Sequence, residues 1–190
     1  MKKQRVAIFA SGAGSNALNL IAYFEKHAQI EIAFVLSNKA DAGIVASARA
    51  LGVPTFVCSN EEAARADYLH ALCNHHRIDW IVLAGYLRLI PAAFIDKYER
   101  KMINLHPSLL PNYGGQGMYG RKVHAAVLAA NEKFTGITVH FVNAQFDKGE
   151  IIAQFHTPIQ PGASIEDVEA SIRHLEHSYL PVGWVCETVQ

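Results

Sequence analysis

The sequence predicts an α/β fold in which one doubly wound, mostly parallel sheet carries helices on both faces. Short apolar runs alternate with amphipathic helical patterns along the first half of the chain, an order typical of parallel strands joined by right-handed crossovers. The strands are apolar at nearly every residue, which indicates that helices cover both faces. Because no linker-like segment, low-complexity tract or internal repeat interrupts the chain, we expect one domain over residues 1–190.

The first four predicted strands are short runs rich in Val, Ile and Phe that are bounded by Gly, Pro, Asn or Asp. The predicted strands are Val6–Ala10, Ile32–Leu36, Thr55–Cys58, Trp80–Ala84, Lys101–His106, Ile137–Phe141 and Ile151–His156. The predicted helices are Asn16–His27, Gly43–Leu51, Glu61–His75, Val123–Ala130 and a long one from Ser164. We expect Asn60 to cap the third helix, His75-His76 to end it, and Pro181 to kink or restart the last helix.

The composition is that of a globular protein, with 51% hydrophobic and 18% charged residues. Seventeen Lys and Arg balance 17 Asp and Glu, so no overall field attracts nucleic acid or an anionic membrane. No stretch approaches the roughly 20 apolar residues of a membrane span. Cys58, Cys73 and Cys186 form no Cys-x-x-Cys pair, and we interpret them as reduced, mostly buried thiols. These features predict a cytoplasmic protein.

A glycine-rich loop, residues 11–17, joins the first strand to the first helix. Its glycines allow close approach to a ligand, and the positive end of the following helix favours an anion. Ser15 and Asn16 add donors where phosphate oxygens would lie. The loop also fits the dinucleotide fingerprint Gly-x-Gly-x-x-Ala, but the second strand ends at Ser37-Asn38 without the acidic residue that binds a ribose. A phosphate monoester is therefore favoured, and simple helix capping by Ser15 or Asn16 is the alternative.

Two polar residues lie at the end of the fifth predicted strand. Strand alternation puts Asn104 and His106 on the same side, near the C-terminal edge where ligands bind in open α/β sheets. From spacing alone, a structural Asn–His pair and a catalytic pair explain the pattern equally well. Asp147, in the sequence Asp-Lys-Gly, has by itself the pattern of a turn residue.

The run Asn104-Leu105-His106-Pro107-Ser108-Leu109-Leu110-Pro111 resembles the signature of the folate-dependent formyltransferases. The likeness extends over nearly the whole chain and is closest to the purine-pathway members of that family. The other segments that carry it are Ser11–Asn16, Leu83–Arg88, Thr138–Val142 and Phe146–Ile152. Several motifs in the right order are more specific than any one of them. The resemblance implies the Rossmann-like formyltransferase fold.

The resemblance also implies a reaction and a catalytic trio. The implied reaction moves a formyl group from 10-formyltetrahydrofolate, a co-substrate, to the amine of glycinamide ribonucleotide, with no metal. Asn104 and protonated His106 would donate hydrogen bonds to the oxyanion of a tetrahedral intermediate. Asp147, if adjacent to His106, would raise the pKa of that imidazole and assist proton transfer.

Two substrate sites follow from the same resemblance. The ribose phosphate would bind at Ser15, Asn16 and Ala17, and the rest of the nucleotide at Arg173 and Glu176 of the last helix. The implied folate-binding residues are Arg65, Leu87, Arg88, Leu89, Ile90, Asn104, Asn143, Ala144, Gln145, Phe146 and Asp147. Core packing is the alternative for the three aliphatic residues in this set, and a solvated surface is the alternative for Arg65 and for the charges of the last helix.

One segment departs from the family pattern. Many relatives carry a His-x-His step where this chain has Lys122 and His124, and the glycines of residues 113–120 suggest a loop able to close over the site. The expected partners are small-molecule substrates, with no nucleic acid and no membrane, for a monomer or weak homodimer. The alternatives are a formyltransferase acting on another amine, a formyltetrahydrofolate hydrolase, and a non-catalytic folate- or nucleotide-binding module. The intact trio argues against the last of these.

Overall fold

The structure is a computed structural model that describes the backbone of residues 3–188 and the side chains of residues 3–181. The strands are β1 Gln4–Phe9, β2 Ile30–Ser37, β3 Thr55–Val57, β4 Trp80–Leu83, β5 Met102–His106, β6 Phe134–Phe141 and β7 Ile151–Pro158. The helices are α1 Ser15–Phe24, α2 Gly43–Ala50, α3 Asn60–Ala63, α4 Ala66–His75, α5 Ala92–Ile95, α6 Arg121–Ala129 and α7 Ile165–Thr188.

Within residues 3–188, seven strands form one sheet in the order β3-β2-β1-β4-β5-β6-β7. β1 pairs in parallel with β2 and β4, and β2 pairs in parallel with β3, whereas β6 and β7 are antiparallel. The predicted α/β class with a single, mostly parallel sheet is confirmed. The chain divides into two compact units, residues 1–103 and 104–190, and the expectation of one domain stays a prediction.

Three strands of the first unit, β1, β2 and β4, are buried along most of their length. Phe9 and Phe34 are completely buried, and the ring of Phe9 stacks against that of Phe94 at 6.4 Å between centroids. These apolar strands have no polar face, so they require packing on both sides. The first unit thereby supports the loops that follow β1 and β4, where ligand-binding residues are expected.

In the second unit, β6 and β7 form an antiparallel hairpin, in which β6 lies beside β5 and β7 lies on the far side of β6. Gly136 lies opposite His156 in this hairpin. α7 continues through Pro181, so a restart there is wrong, and a kink at that residue stays a prediction. Pro181 removes one helical hydrogen bond, and a helix of 24 residues retains enough others to continue. Cys186, expected to be a buried thiol, lies outside the described side chains.

Two helical predictions between β3 and β5 are wrong. The helix predicted as Glu61–His75 is two helices, because Arg65 has an extended backbone that ends α3 and begins α4. The cap of α3 is Ser59, since its hydroxyl accepts from the Glu62 N–H while the Glu62 carboxylate accepts from the Ser59 N–H, and Asn60 is already helical. The prediction that His75-His76 ends the helix is confirmed. The short α5 and the 3₁₀ turn after it were not predicted.

We expect Gly136→Ala to reduce the free energy of unfolding by about 3 kcal/mol, because the added methyl would overlap the carbonyl oxygen of Phe155 across the hairpin. Urea denaturation measures this effect. The control is Gly12→Ala, where an added Cβ meets nothing within 4 Å. Equal stability of the two variants would contradict the tight register assigned to β6 and β7.

Candidate active site

β5 ends in a half-buried amide and a buried imidazole that meet one carboxylate. The Nδ2 atom of Asn104 donates to Oδ1 of Asp147 at 3.3 Å, and Nδ1 of His106 lies 3.4 Å from Oδ2 of the same residue. Only 3% of the His106 surface is exposed. Strand alternation therefore puts both side chains on one side of β5, as predicted, and the described structure brings all three members of the expected trio together.

Asp147 lies in the turn that follows β6 and has a left-handed backbone, with φ of 54°. Gly149 allows the chain to pass close to the end of β6, since a Cβ at that position would overlap the carbonyl oxygen of Phe141. The Gly115 N–H donates to Oδ2 of Asp147 at 2.8 Å. Asp147 is thus both the turn residue that its local sequence predicts and a carboxylate fixed beside His106.

His140 is a member of this cluster that the sequence analysis missed. Its Nδ1 atom lies 2.8 Å from the Phe141 carbonyl oxygen, which can only accept, so Nδ1 carries the hydrogen. Its Nε2 atom then accepts from Nδ2 of Asn104 at 3.1 Å. This bond turns the amide so that its nitrogen faces Asp147. A buried histidine within an apolar strand was the signal available in the sequence.

The tautomer of His106 follows from its two neighbours. Nε2 lies 2.9 Å from the Tyr113 carbonyl oxygen, so Nε2 carries a hydrogen and donates it. Nδ1 faces the Asp147 carboxylate at a distance longer than a normal hydrogen bond. Nδ1 is therefore the ring nitrogen available to exchange a proton beside the carboxylate.

The pKa values of this pair follow from burial and charge together. Burial lowers the pKa of His106, and the Asp147 charge and the Tyr113 carbonyl raise it by a smaller amount. The expected effect of Asp147, which raises the pKa of His106, is present, but burial outweighs it and the net pKa is lowered. Burial acts to raise the pKa of Asp147, but contacts with His140, His106 and the Gly115 N–H together lower it. At neutral pH the resting site holds a carboxylate beside a neutral imidazole.

We expect the free energy of unfolding to decrease as pH falls below 6.5, the ordinary pKa of histidine. Burial lowers the pKa of both His106 and His124, so the unfolded chain binds more protons than the folded chain below that pH. Urea denaturation between pH 7 and pH 5 measures the slope. His124→Asn should reduce the slope of unfolding free energy against pH. His156→Asn, at an exposed position, should leave that slope unchanged. Stability that is constant or rises on acidification would contradict the burial argument.

The glycine loop of the first unit has the shape of an anion site. Gly14 precedes α1 in a left-handed conformation, with φ of 80°, and a Cβ there would overlap Ile44. Neither Ser15 nor Asn16 caps the helix through its side chain in the described structure, so simple capping is wrong. The Oδ1 atom of Asn16 is buried and has no hydrogen-bond partner among the described residues. Ala17 is completely buried. Phosphate binding by this loop stays a prediction.

The loop after β4 carries two exposed aliphatic side chains. Leu87 is 44% exposed and Leu89 is 50% exposed, whereas Ile90 is buried. The alternative of core packing is therefore wrong for Leu87 and Leu89 and is confirmed for Ile90. Arg88, between the two exposed leucines, is exposed as well. The pair of exposed leucines is the kind of apolar surface that a flat ligand covers.

The remaining residues implied for folate and nucleotide binding are mostly exposed. Arg65 forms an exposed ion pair with Asp67 at 2.5 Å. Residues 143–146 are exposed, and the Asn143 side chain accepts from the Gln145 N–H at 3.0 Å. On α7, Arg173 pairs with Glu169 at 3.0 Å, as on a solvated helix face, and Glu176 is half-buried. Their binding roles stay predictions.

Within the described residues, no group of three or more His, Cys, Asp or Glu side chains is placed to hold a metal ion. No helix in the same part of the chain is long and apolar enough to cross a membrane. Cys58 and Cys73 are buried free thiols, and burial raises the pKa of Cys73 to about 12.

Comparison with known proteins identifies the family. The sequence profile described as formyl transferase matches residues 4–183. The chain belongs to the formyl transferase family. The chain is 33% identical over 194 residues to the chloroplastic phosphoribosylglycinamide formyltransferase of Arabidopsis thaliana, covering 98% of the chain and 66% of the relative. It is 38% identical over 195 residues to the phosphoribosylglycinamide formyltransferase of Haemophilus influenzae, covering 97% of the chain and 88% of the relative.

Solved structures of the same family have the same fold. Phosphoribosylglycinamide formyltransferase from Brucella melitensis superimposes with a TM-score of 0.87 at 36% identity, covering 99% of this formyl transferase and 96% of that chain. The phosphoribosylglycinamide formyltransferase structure from Anaplasma phagocytophilum gives a TM-score of 0.88 at 30% identity, and the match covers 99% of this chain and 88% of that chain. The chain spans 66% and 58% of the lengths of two chloroplast relatives, from Arabidopsis thaliana and Vigna unguiculata.

Proposed function

We propose that this formyl transferase moves a formyl group from 10-formyltetrahydrofolate to the amine of glycinamide ribonucleotide. The observation that carries the proposal is the buried contact of His106 and Asn104 with the single carboxylate of Asp147. An amide donor and an imidazole nitrogen able to take up a proton, both beside one carboxylate, suit a reaction in which a negative oxygen develops while a proton moves. The names of the relatives in Haemophilus influenzae and Arabidopsis thaliana support this donor and acceptor.

Asn104 and His106 would stabilise the tetrahedral intermediate. A bond forms between the amine nitrogen and the formyl carbon, and the formyl oxygen becomes an oxyanion. Asn104 donates to that oxygen through Nδ2, giving up its long 3.3 Å bond to Asp147 and keeping its bond to His140. His106 donates through Nδ1 once that atom has gained a proton. Each such donor contributes about 10²–10³ in rate.

Asp147 and His106 would carry the proton between the two nitrogens. The attacking nitrogen loses one proton, which the carboxylate accepts directly or through water and shares with Nδ1 of His106 across 3.4 Å. The imidazolium formed in this way is stabilised by the carboxylate charge. The same proton is then given to the folate nitrogen as its bond to the formyl carbon breaks. The pair ends the cycle in its starting state, and no nucleophilic side chain is needed.

The substrates would be held at separate surfaces by different forces. The ribose phosphate would bind at the N-terminus of α1, beside Ser15 and Asn16. The side chain of Asn16 has a buried oxygen without a hydrogen-bond partner among the described residues, so its amide is available to a ligand there. Arg173 and Glu176 would contact the rest of the nucleotide. Leu87 and Leu89 would cover the apolar face of the folate, and residues 143–146 would pair with its polar edge. The free thiols Cys58 and Cys73 support a cytoplasmic location for the reaction.

An assay with both substrates tests the proposal. Purified protein is supplied with 10-formyltetrahydrofolate, and folate deformylation is followed with and without glycinamide ribonucleotide. We expect deformylation only with the acceptor, together with one formylated nucleotide for each folate consumed. Deformylation that does not depend on the acceptor would indicate a hydrolase. No reaction with this acceptor would indicate a different amine or a binding protein. Both outcomes would contradict the proposal.

A further inference from the structure

Tyr113 has a backbone conformation that is unusual for its residue type. Its φ is 57°, in the left-handed region that residues with a large side chain seldom adopt. This conformation directs the Tyr113 carbonyl to Nε2 of His106, at 2.9 Å. Two residues later, the Gly115 N–H donates to Asp147. The same short segment therefore contacts both members of the proposed proton-carrying pair through its backbone.

The Tyr113 side chain is fixed at its far end. Its phenol donates to Oε1 of Glu132 at 2.7 Å. Glu132 lies in the turn between α6 and β6, and its own N–H donates to the Val127 carbonyl at 3.3 Å. The phenol bond is exposed, so it contributes little to stability as a surface contact. The phenol bond nevertheless restrains Tyr113, and the carbonyl of Tyr113 sets the tautomer of His106.

We propose that the Tyr113–Glu132 hydrogen bond is a positioning device for His106, holding the Tyr113 carbonyl against Nε2 so that Nδ1 is the nitrogen that takes up the proton. A third group that orients a catalytic imidazole is a recurring requirement of histidine chemistry. Here a backbone carbonyl supplies the orientation, and a tyrosine–carboxylate bond outside the reacting cluster maintains it. The inference rests on the proposed function only for its effect on turnover.

Several groups of the second unit face His106 and influence its proton affinity. Asp147 and the Tyr113 carbonyl favour the protonated ring, whereas burial disfavours it, as would a positive charge on His140. His124 of α6 also interacts electrostatically with His106. Of these groups, the Tyr113 carbonyl belongs to the same residue as the phenol. Loss of the phenol bond should therefore lower the pKa of His106 while leaving the other groups in place.

The test compares Tyr113→Phe with Glu132→Ala and Glu132→Gln. A ¹⁵N NMR titration of the His106 imidazole in the full chain measures the pKa without any need for activity. We expect Tyr113→Phe and Glu132→Ala to shift the titration to lower pH and to reduce kcat about three- to tenfold, with KM unchanged within a factor of about two. Glu132→Gln, whose amide oxygen still accepts from the phenol, should behave like the wild type.

Tyr119→Phe is the matched control, because Tyr119 lies in the same segment and its ring contacts Lys122. It should leave both the titration and kcat unchanged. A pKa of His106 in Tyr113→Phe equal to that in the wild type would overturn the inference. A loss of kcat in Glu132→Gln equal to that in Glu132→Ala would overturn it as well. If wild-type protein formylates no glycinamide ribonucleotide, the NMR result still decides the positioning role, so the two proposals fail separately.

Discussion

Asp147→Asn is expected to lower kcat for formyl transfer by about 10³-fold, because it removes the only carboxylate seen to contact both His106 and Asn104 in residues 104–181. The amide keeps the shape of the side chain and can still accept from the Gly115 N–H. It carries no charge, so it no longer supports an imidazolium and cannot take a proton from the amine. The pKa of His106, already low through burial, should fall further.

Steady-state kinetics with both substrates measures this loss, and it should appear in kcat more than in either KM. Glu150→Gln is the control, since it removes an exposed carboxylate from the same turn. Turnover of Asp147→Asn within a factor of about ten of the wild type would show that the carboxylate moves no proton in the reaction. A melting temperature close to that of the wild type excludes unfolding as the cause of a loss.

His106→Ala should lower kcat by about 10³-fold, at the upper end of the cost of losing one oxyanion donor, because the proton carrier is removed with it. The matched control is His124→Ala, which removes an equally buried imidazole, 3% exposed, from the same unit. We expect that control to lose stability and to keep kcat within a few-fold of the wild type, as determined by the same kinetics together with urea denaturation. Equal losses of kcat in the two variants would contradict a specific role for His106.

Strand alternation was enough to predict that two residues of this site lie together, although not that they are catalytic. Asn104 and His106 are two residues apart on a strand, and that spacing alone puts them on one side of the sheet. The apolar strands likewise predict the parallel sheet, because strands buried on both faces leave no polar alternation. Local sequence is therefore sufficient to predict those features that follow from the regular repeat of a strand.

The parts that could not be predicted depend on irregular backbone. Asp147 reaches His106 from a left-handed turn, and its pattern alone indicates only the turn. The carbonyl of Tyr113 and the N–H of Gly115 belong to groups that every residue carries, so no side-chain motif identifies them. The sequence indicates that Asp147 raises the pKa of His106, but not the net direction, because the degree of burial that outweighs the carboxylate is a property of the packed structure.

The central claim is that His106 and Asp147 act as one proton-carrying unit, and a double-mutant cycle in kcat tests it most directly. Kinetics of His106→Ala, Asp147→Asn and the double variant are measured with glycinamide ribonucleotide and 10-formyltetrahydrofolate under the same conditions. The account predicts that the double variant is hardly slower than either single variant, because each removal already disables the pair. Losses that multiply would mean that the two residues act independently, which would contradict it.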